Sequence, residues 1–206
     1  MSATATALRD PAREPGAAPP ARVALLGTGT VGSAVLARLA EWCGSPLGAR
    51  LSLVHVANSR RSVTSPFALA PEQARALLSS QGDAASVDPA ATALTFEGAH
   101  RVAPRIVIDA TASDAVAGQH AAWLAQGIHV VTACKLGQGT SLGRWREIAA
   151  AQAAGGAGYG DSATVGAGLP LLRSLRELQA GGDRIHAIAG VLSGSLAWLF
   201  DHYDGL

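Results

Sequence analysis

Lys135 is the only lysine in the chain, since the other 15 of its 16 Lys and Arg residues are arginine. It lies in the segment GIHVVTACKLG, directly after an apolar run typical of a buried strand. An ammonium group can give up its proton when burial lowers its pKa, whereas a guanidinium effectively never does. We therefore predict that Lys135 is catalytic, a source of positive charge and of a proton. The alternative is a surface lysine that happens to follow a strand.

Gly27, Gly29 and Gly32 form a G-x-G-x-x-G pattern between an apolar run and a helical repeat. The first glycine permits a tight turn, the second lets a pyrophosphate approach the backbone, and the third lets helix and strand pack closely. Free N–H groups at the start of the helix then face the phosphates. The pattern predicts dinucleotide binding, and the alternative is a tight turn that binds nothing.

The end of the next strand-like run predicts which dinucleotide binds. NAD-binding sequences usually carry Asp or Glu there, to hold the ribose 2′-OH. This chain has Asn58, Ser59, Arg60 and Arg61 instead. A guanidinium can bind a 2′-phosphate in bidentate fashion, and no carboxylate is present to repel it. We therefore predict NADP, with Arg60 as the main ligand and Asn58 beside it. NAD is the alternative if the arginines are only solvated.

Strands and helices must alternate to bring these residues together. Apolar runs predict strands at residues 23–26, 50–58, 105–113 and 128–133, and a shorter strand at 92–96. Helical spacing and capping predict helices that start near Val31, cover 70–80, run from the cap Ser113 to Gln126, and cover 141–153. This alternation predicts an α/β fold with a doubly wound parallel sheet. Ligands of such sheets bind at the carboxyl ends of the strands, where Lys135 lies.

Three regions follow from the change of composition along the chain. Residues 1–20 are rich in Ala and Pro and predict a disordered tail. Residues 21–160 predict a dinucleotide-binding domain of Rossmann type. Residues 161–206 predict the start of a second domain, with a glycine-rich loop, a helix at 169–180, a strand at 183–192 and a helix at 193–203.

Composition excludes several other classes of protein. The net charge of +1 gives no reason to expect a nucleic-acid partner. No segment resembles a signal peptide, and the apolar stretch at 185–200 is too short to span a membrane, so we expect a cytoplasmic protein without a membrane partner. Cys43 and Cys134 form no CxxC pair, and the six histidines lack the spacing of a metal site.

Four segments together resemble homoserine dehydrogenase, including the dehydrogenase half of bifunctional aspartokinase–homoserine dehydrogenases. They are GTGTVGSAVL, VANSR, GIHVVTACK and ATVGAGLPLLRSLRELQAGGDRIHAIAGVLSGSLAWLF. The resemblance implies NAD(P)H-dependent interconversion of aspartate 4-semialdehyde, the small-molecule substrate, and homoserine, on the route to threonine and methionine. It also implies a Rossmann-type domain followed by an α+β catalytic domain, and a homodimer for a full-length form.

The same resemblance assigns residues by position. The residues implied to bind the cofactor lie in the dinucleotide loop, after the strand at 105–113 and in the family's V-T-x-N-K segment; they are Thr28, Thr30, Val31, Thr111, Ser113, Thr132 and Lys135. The lysine of that segment lies at the active site in the family, which agrees with the catalytic prediction for Lys135. Cys134 stands where the family usually has Asn.

A sodium site is also implied, at the backbone carbonyls of Val165, Ala167 and Leu169. The family has a carboxylate at the position of Ser162, so this part of the site is altered. The family's substrate segment, which supplies carboxylates and a second lysine, follows the helix on which this chain ends. We therefore expect the catalytic domain, and with it the active site, to be incomplete in this chain.

Two other functions are compatible with the sequence. In one, Cys134 is the nucleophile of a semialdehyde dehydrogenase. This needs an activating histidine, but His129 should point away from Cys134. In the other, the chain is an NADP-binding fragment or sensor module without catalysis.

Overall fold

A six-stranded sheet forms the centre of the molecule. The computed structural model describes residues 18–79, 88, 91, 96, 103–191 and 193–204. The strands are β1 (Ala21–Leu26), β2 (Leu51–Ala57), β3 (Ser62–Thr64), β4 (Arg105–Asp109), β5 (Ile128–Thr132) and β6 (Tyr159–Gly160). They confirm the strands predicted near residues 23, 51, 105 and 128.

The strand order is β3-β2-β1-β4-β5-β6. β1 pairs in parallel with both β2 and β4, and β5 pairs in parallel with both β4 and β6. The chain therefore leaves β1 in one direction and returns to its other side at β4. This reversal opens a crevice at the carboxyl ends of β1 and β4, where ligands of doubly wound sheets bind. The predicted α/β class is confirmed.

The edge strand β3 differs from the prediction because it pairs antiparallel with β2. Only residues 58–61 connect the two strands. A parallel connection needs a crossover of about a dozen residues, whereas a short loop can only form a hairpin. The hairpin is thus dictated by the length of the loop, and it holds residues 58–61 at the carboxyl end of β2.

Helices cover both faces of the sheet. The α-helices of the described residues are α1 (Thr30–Glu41), α2 (Pro71–Ser79), α3 (Asp114–Ala117), α4 (His120–Ala125), α5 (Leu136–Gly139), α6 (Leu142–Gly155), α7 (Leu171–Ala180) and α8 (Gly194–His202), and of these α7 and α8 bury no residue. One core cluster packs Trp123, Leu124 and Ile148, from α4 and α6, against alternate strand residues. The other packs α1 and α2 on the opposite face. The inner strands β1 and β2 therefore bury both their faces, which explains their continuous apolar runs, whereas the outer strand β5 leaves Val131 exposed.

Two predicted elements have to be corrected. The helix expected from Ser113 to Gln126 is two helices, α3 and α4, that separate at Gly118, a residue of low helix propensity. The strand expected at 183–192 is wrong for the described residues, since 183–191 contain no strand. A strand needs a neighbour to accept its hydrogen bonds, and none of the described strands pairs with this segment. Residues 92–95 of the strand predicted at 92–96, and residues 1–17 of the tail predicted at 1–20, lie outside the described residues.

Within the described part of the chain, every helix is too short or too polar to traverse a lipid bilayer.

Candidate functional site

The glycine turn lies between β1 and α1, as predicted. Gly27 has a φ of +91°, which favours glycine, and a side chain there would come within 2.7 Å of the Ala110 carbonyl oxygen. At Gly32 a Cβ would lie only 1.8 Å from the Gly27 carbonyl oxygen, so the helix can approach the turn this closely only with glycine. At Gly29 a Cβ would meet nothing within 4 Å. The open space at Gly29 faces solvent, where a phosphate could approach the start of α1.

The other residues of this turn surround the open space. Thr28 accepts a hydrogen bond from the Ser33 hydroxyl through its carbonyl oxygen. Thr30 and Val31 form the first turn of α1, and Val31 is 48% exposed although it is apolar. The N–H groups at the start of a helix have no partner within the helix. The turn therefore presents free donors and an exposed apolar side chain to one region of solvent.

Asn58 shapes the hairpin loop after β2. Its Oδ1 accepts the backbone N–H groups of Arg60 and Arg61, both at 2.9 Å, and its own N–H donates to the Arg61 carbonyl oxygen. Its amide Nδ2 lies 3.5 Å from the Thr28 hydroxyl, so the loop adjoins the glycine turn. The exposed Arg60 guanidinium forms no ion pair with any residue that the structure describes. The loop thus presents a free cation beside the turn.

Hydrogen bonds between the loops join the carboxyl ends of β1, β4 and β5. The N–H of Ala110 donates to the Leu26 carbonyl oxygen at 2.8 Å, and the N–H of Ala133 donates to the Asp109 carbonyl oxygen at 3.0 Å. The N–H of Gly27 likewise donates to the Ala57 carbonyl oxygen at 2.8 Å, so the first residues of three loops continue the register of the sheet. Residues 27–29, 110–113 and 133–135 come to one edge of the sheet for this reason.

Thr111 and Ser113 form the loop between β4 and α3. Thr111 donates its N–H and its hydroxyl to Asp109 Oδ1, at 2.9 and 2.6 Å, and its hydroxyl accepts the N–H of Ser113 at 3.2 Å. The Ser113 hydroxyl accepts the N–H of Val116 and caps α3, which confirms the predicted cap. Both side chains are half-buried at the sheet edge.

Lys135 directly precedes α5, which was not predicted from the sequence. Its backbone carbonyl accepts the N–H of Gly139, and its side chain is exposed. The ammonium group has no carboxylate partner within the described part of the chain. Arg144 secures the following turn, because its guanidinium donates to the Leu136 carbonyl oxygen and to the Asp114 carboxylate. Lys135 is thus a free cation on a braced turn.

A buried polar network beneath this edge was missed by sequence reasoning. The Asp109 carboxylate accepts from Thr111, from His120 Nε2 at 2.9 Å and from the Thr132 hydroxyl at 3.4 Å. His120 Nδ1 lies 3.0 Å from the Tyr159 hydroxyl. Asp109 and His120 are fully buried. Burial raises the pKa of the Tyr159 phenol, and the charges of Asp161 and Asp109 raise it further, so the phenol stays protonated.

Cys134 does not have the environment of a nucleophile. Cys134 is only 3% exposed. Burial raises the pKa of its thiol, and the negative charge of Asp109 raises it further. His129 Nδ1 accepts the N–H of Gly158 at 2.8 Å, so this ring nitrogen is already engaged elsewhere. The geometry therefore disfavours the Cys134-dependent mechanism.

The loop predicted to hold sodium lies between β6 and α7. Gly166 and Ala167 both have positive φ, +73° and +50°, in the turn that contains Val165 and Leu169. Hard cations are bound by carbonyl and carboxylate oxygens. No carboxylate is free here, because the Asp161 oxygens bind the Arg176 guanidinium at 2.6 and 2.7 Å. This loop therefore offers a cation only neutral backbone carbonyls, without the charge of the Asp161 carboxylate.

The sheet and the loops at its edge are similar to those of known proteins. The family model described as homoserine dehydrogenase, NAD binding domain, matches residues 27–159, more than half of the chain. Bifunctional aspartokinase/homoserine dehydrogenase 2 of Escherichia coli K12 is 35% identical over 88% of this chain and 22% of its own length. The homoserine dehydrogenase of Emericella nidulans is 33% identical over 89% of this chain and 50% of its own length.

Two solved structures share the fold. A Candida auris protein described as of unknown function has a TM-score of 0.75 and 30% identity, over 88% of this chain and 49% of that one. A hyperthermophilic archaeal homoserine dehydrogenase in complex with NADPH has a TM-score of 0.58 and 26% identity, over 79% of this chain and 50% of that one. The chain thus spans about half the length of these proteins, and about a fifth of the bifunctional one. Since the family match runs from the glycine turn through β2, β3, β4 and β5 and includes the loop of Lys135, the chain belongs to the homoserine dehydrogenase family and carries its NAD-binding domain.

Proposed function

We propose that this chain is the cofactor-binding part of an NADP-dependent oxidoreductase that interconverts aspartate 4-semialdehyde and homoserine. The main support is that an open glycine turn, the Thr111–Ser113 loop and Lys135, which has no ion-pair partner among the described residues, lie at one carboxyl edge in a chain of this family. The relatives are named as homoserine dehydrogenases, and one solved relative holds NADPH.

The proposed cofactor contacts follow the edge of the sheet. The pyrophosphate binds at Gly27–Gly32, where Gly29 leaves the approach open and the first N–H groups of α1 donate. Arg60 pairs with the 2′-phosphate, since its guanidinium is exposed and lacks an ion-pair partner within the described residues. Thr111 and Ser113 border the nicotinamide end, whereas the structure buries Thr132, which supports this edge through its bonds to Asp109 and Cys134. This arrangement favours NADP over NAD.

Bound NADPH supplies the hydride that reduces the aldehyde carbon. Lys135 acts at the aldehyde oxygen, where negative charge develops as the hydride arrives. Its ammonium group stabilises that charge and donates the proton that completes the alcohol. General acid catalysis of this kind contributes about 10²–10⁴-fold in rate.

Other parts of the proposal rest on the resemblance. A sodium ion at Val165, Ala167 and Leu169 would bind weakly, because Arg176 already neutralises the nearby Asp161 carboxylate. A homodimer of the full-length protein and a cytoplasmic location stay predictions from the sequence.

The test replaces Lys135 by arginine in the full-length protein. Arg keeps the positive charge but cannot donate its proton at neutral pH. We expect NADPH-dependent reduction of aspartate 4-semialdehyde to fall at least about 100-fold, with NADPH affinity nearly unchanged. Arg146→Lys, on the exposed surface of α6, is the matched control and should leave the rate unchanged. Equal rates for Lys135→Arg and wild type would refute the catalytic role.

A further inference from the structure

We propose that Asp109 is a positioning residue, which aligns the two loops bordering the nicotinamide through one buried carboxylate. The proposal rests on the proposed function, because it assumes that a nicotinamide binds beside these loops. The observations that support it are the hydrogen bonds of the buried Asp109 carboxylate, which none of the proposed cofactor contacts uses.

The two oxygens of Asp109 serve different loops. Oδ1 accepts the N–H and the hydroxyl of Thr111, at 2.9 and 2.6 Å, and so shapes the loop between β4 and α3. The hydroxyl of Thr132 lies 3.4 Å from Oδ2 and 3.3 Å from the backbone carbonyl oxygen of Asp109, and it accepts the N–H of Cys134 at 2.8 Å. Cys134 directly precedes Lys135. One carboxylate is therefore linked to both the Thr111–Ser113 loop and the turn of Lys135.

His120 and Tyr159 hold this carboxylate from below. An ionised carboxylate can only accept, so His120 Nε2 carries the hydrogen that it shares with Oδ2 at 2.9 Å. The other nitrogen of a neutral imidazole is an acceptor, and it lies 3.0 Å from the Tyr159 hydroxyl. Hydrogen bonds to a charged group in a buried site are stronger than neutral ones. The network is thus able to fix the orientation of Asp109.

The turn after Lys135 also packs on this network. A Cβ at Gly137 would lie 2.4 Å from the Tyr159 hydroxyl and 2.9 Å from His120 Nδ1. The backbone of α5 therefore rests directly against the two residues that hold Asp109. A change in the orientation of His120 or Tyr159 would shift α5, and Lys135 precedes it. This is why we assign the network a role in the site rather than in the core alone.

Asp109→Asn is the test, because the amide keeps the volume but loses the charge and one acceptor. Binding is measured with NADPH and with 2′,5′-ADP, which lacks the nicotinamide, on the full-length protein. We expect the Kd for NADPH to rise about 10-fold or more, because the two loops lose their alignment and with it about one hydrogen bond to the nicotinamide. The Kd for 2′,5′-ADP should stay within about twofold, since the Arg60 loop and the glycine turn keep their own hydrogen bonds.

Two further variants separate positioning from stability. Tyr159→Phe removes only the hydrogen bond between Tyr159 and His120, so it should raise the Kd for NADPH by a smaller factor and leave the Kd for 2′,5′-ADP unchanged. This variant also tests the proposal if Asp109→Asn does not fold. Ile148→Val destabilises the core next to α4 without touching the network, and should leave both Kd values unchanged. Equal weakening of NADPH and 2′,5′-ADP by the network variants would overturn the proposal. Failure of the wild-type protein to bind NADPH would instead refute the proposed function.

Discussion

Replacing Gly29 by alanine separates cofactor binding from folding. Gly29 caps α1 with φ −70° and ψ −158°, an extended conformation that alanine adopts without strain. The added Cβ would meet no atom within 4 Å. Alanine is a poorer cap than glycine, but it also lowers the entropy of the unfolded chain, and these effects oppose each other. We therefore expect the free energy of unfolding to change by less than about 1 kcal/mol.

Binding should respond much more strongly to the same methyl group. The proposed pyrophosphate site requires close approach to the backbone at Gly29, and the methyl group would occupy that space. Losing one charge-assisted hydrogen bond from the backbone to a phosphate costs about 1.5–3 kcal/mol, which is about 10- to 150-fold in Kd. Titration calorimetry with NADPH measures the Kd, and chemical denaturation measures stability.

Two glycine variants serve as controls for this experiment. Gly143→Ala, near the start of α6, adds a methyl group whose nearest neighbour is the Ser141 hydroxyl at 3.8 Å; it should leave the Kd unchanged and raise the free energy of unfolding by at most about 1 kcal/mol. Gly32→Ala places a Cβ 1.8 Å from the Gly27 carbonyl oxygen and should destabilise the fold by about 1–3 kcal/mol. If Gly29→Ala bound NADPH as tightly as wild type, the assignment of this turn to the pyrophosphate would be wrong.

Three other predictions follow from buried groups. Burial lowers the pKa of His55 to about 4, so as pH falls below 6.5 the unfolded chain takes up a proton before the folded chain does. The free energy of unfolding should then fall by about 2 kcal/mol between pH 7 and pH 5 because of His55. Chemical denaturation of His55→Gln at the two pH values should show a decrease that is smaller by this amount. Arg176→Met leaves Asp161 buried without its partner and should lower the free energy of unfolding by about 2 kcal/mol. Adding Asp161→Asn should restore part of this loss. If the effects of the two substitutions on the free energy of unfolding were simply additive, the ion pair between Arg176 and Asp161 would not stabilise the fold. Iodoacetamide should label the exposed Cys43 well before the buried Cys134, and loss of activity on labelling of Cys134 would revive the thiol mechanism.

Patterns with a local steric or hydrogen-bonding cause were predicted correctly. The spacing of the glycines predicts the turn between β1 and α1, because Gly27 and Gly32 each meet a local steric requirement. The cap at Ser113 and the end of α4 before Gly127, with its φ of +71°, are also local features. Lys135 was placed at the carboxyl edge because a single apolar strand precedes it.

Features that depend on distant parts of the chain were not predicted. His120 and Tyr159 meet across 39 positions, and nothing in the sequence near either residue indicates the other. Asp109 ends a buried strand, where a carboxylate requires hydrogen-bond donors, but the sequence does not indicate which residues donate. The segment 183–191 has the composition of a strand, but composition does not supply a neighbouring strand. Its conformation depends on partners that the pattern cannot reveal.

The central claim is that one edge of the sheet binds NADPH and presents Lys135 to the substrate. A crystal structure of the full-length protein with NADPH tests it most directly. We predict the pyrophosphate over Gly29, the 2′-phosphate against Arg60, and the nicotinamide between Thr111 and Lys135. A nicotinamide bound away from Lys135, or a cofactor bound elsewhere on the sheet, would contradict the account.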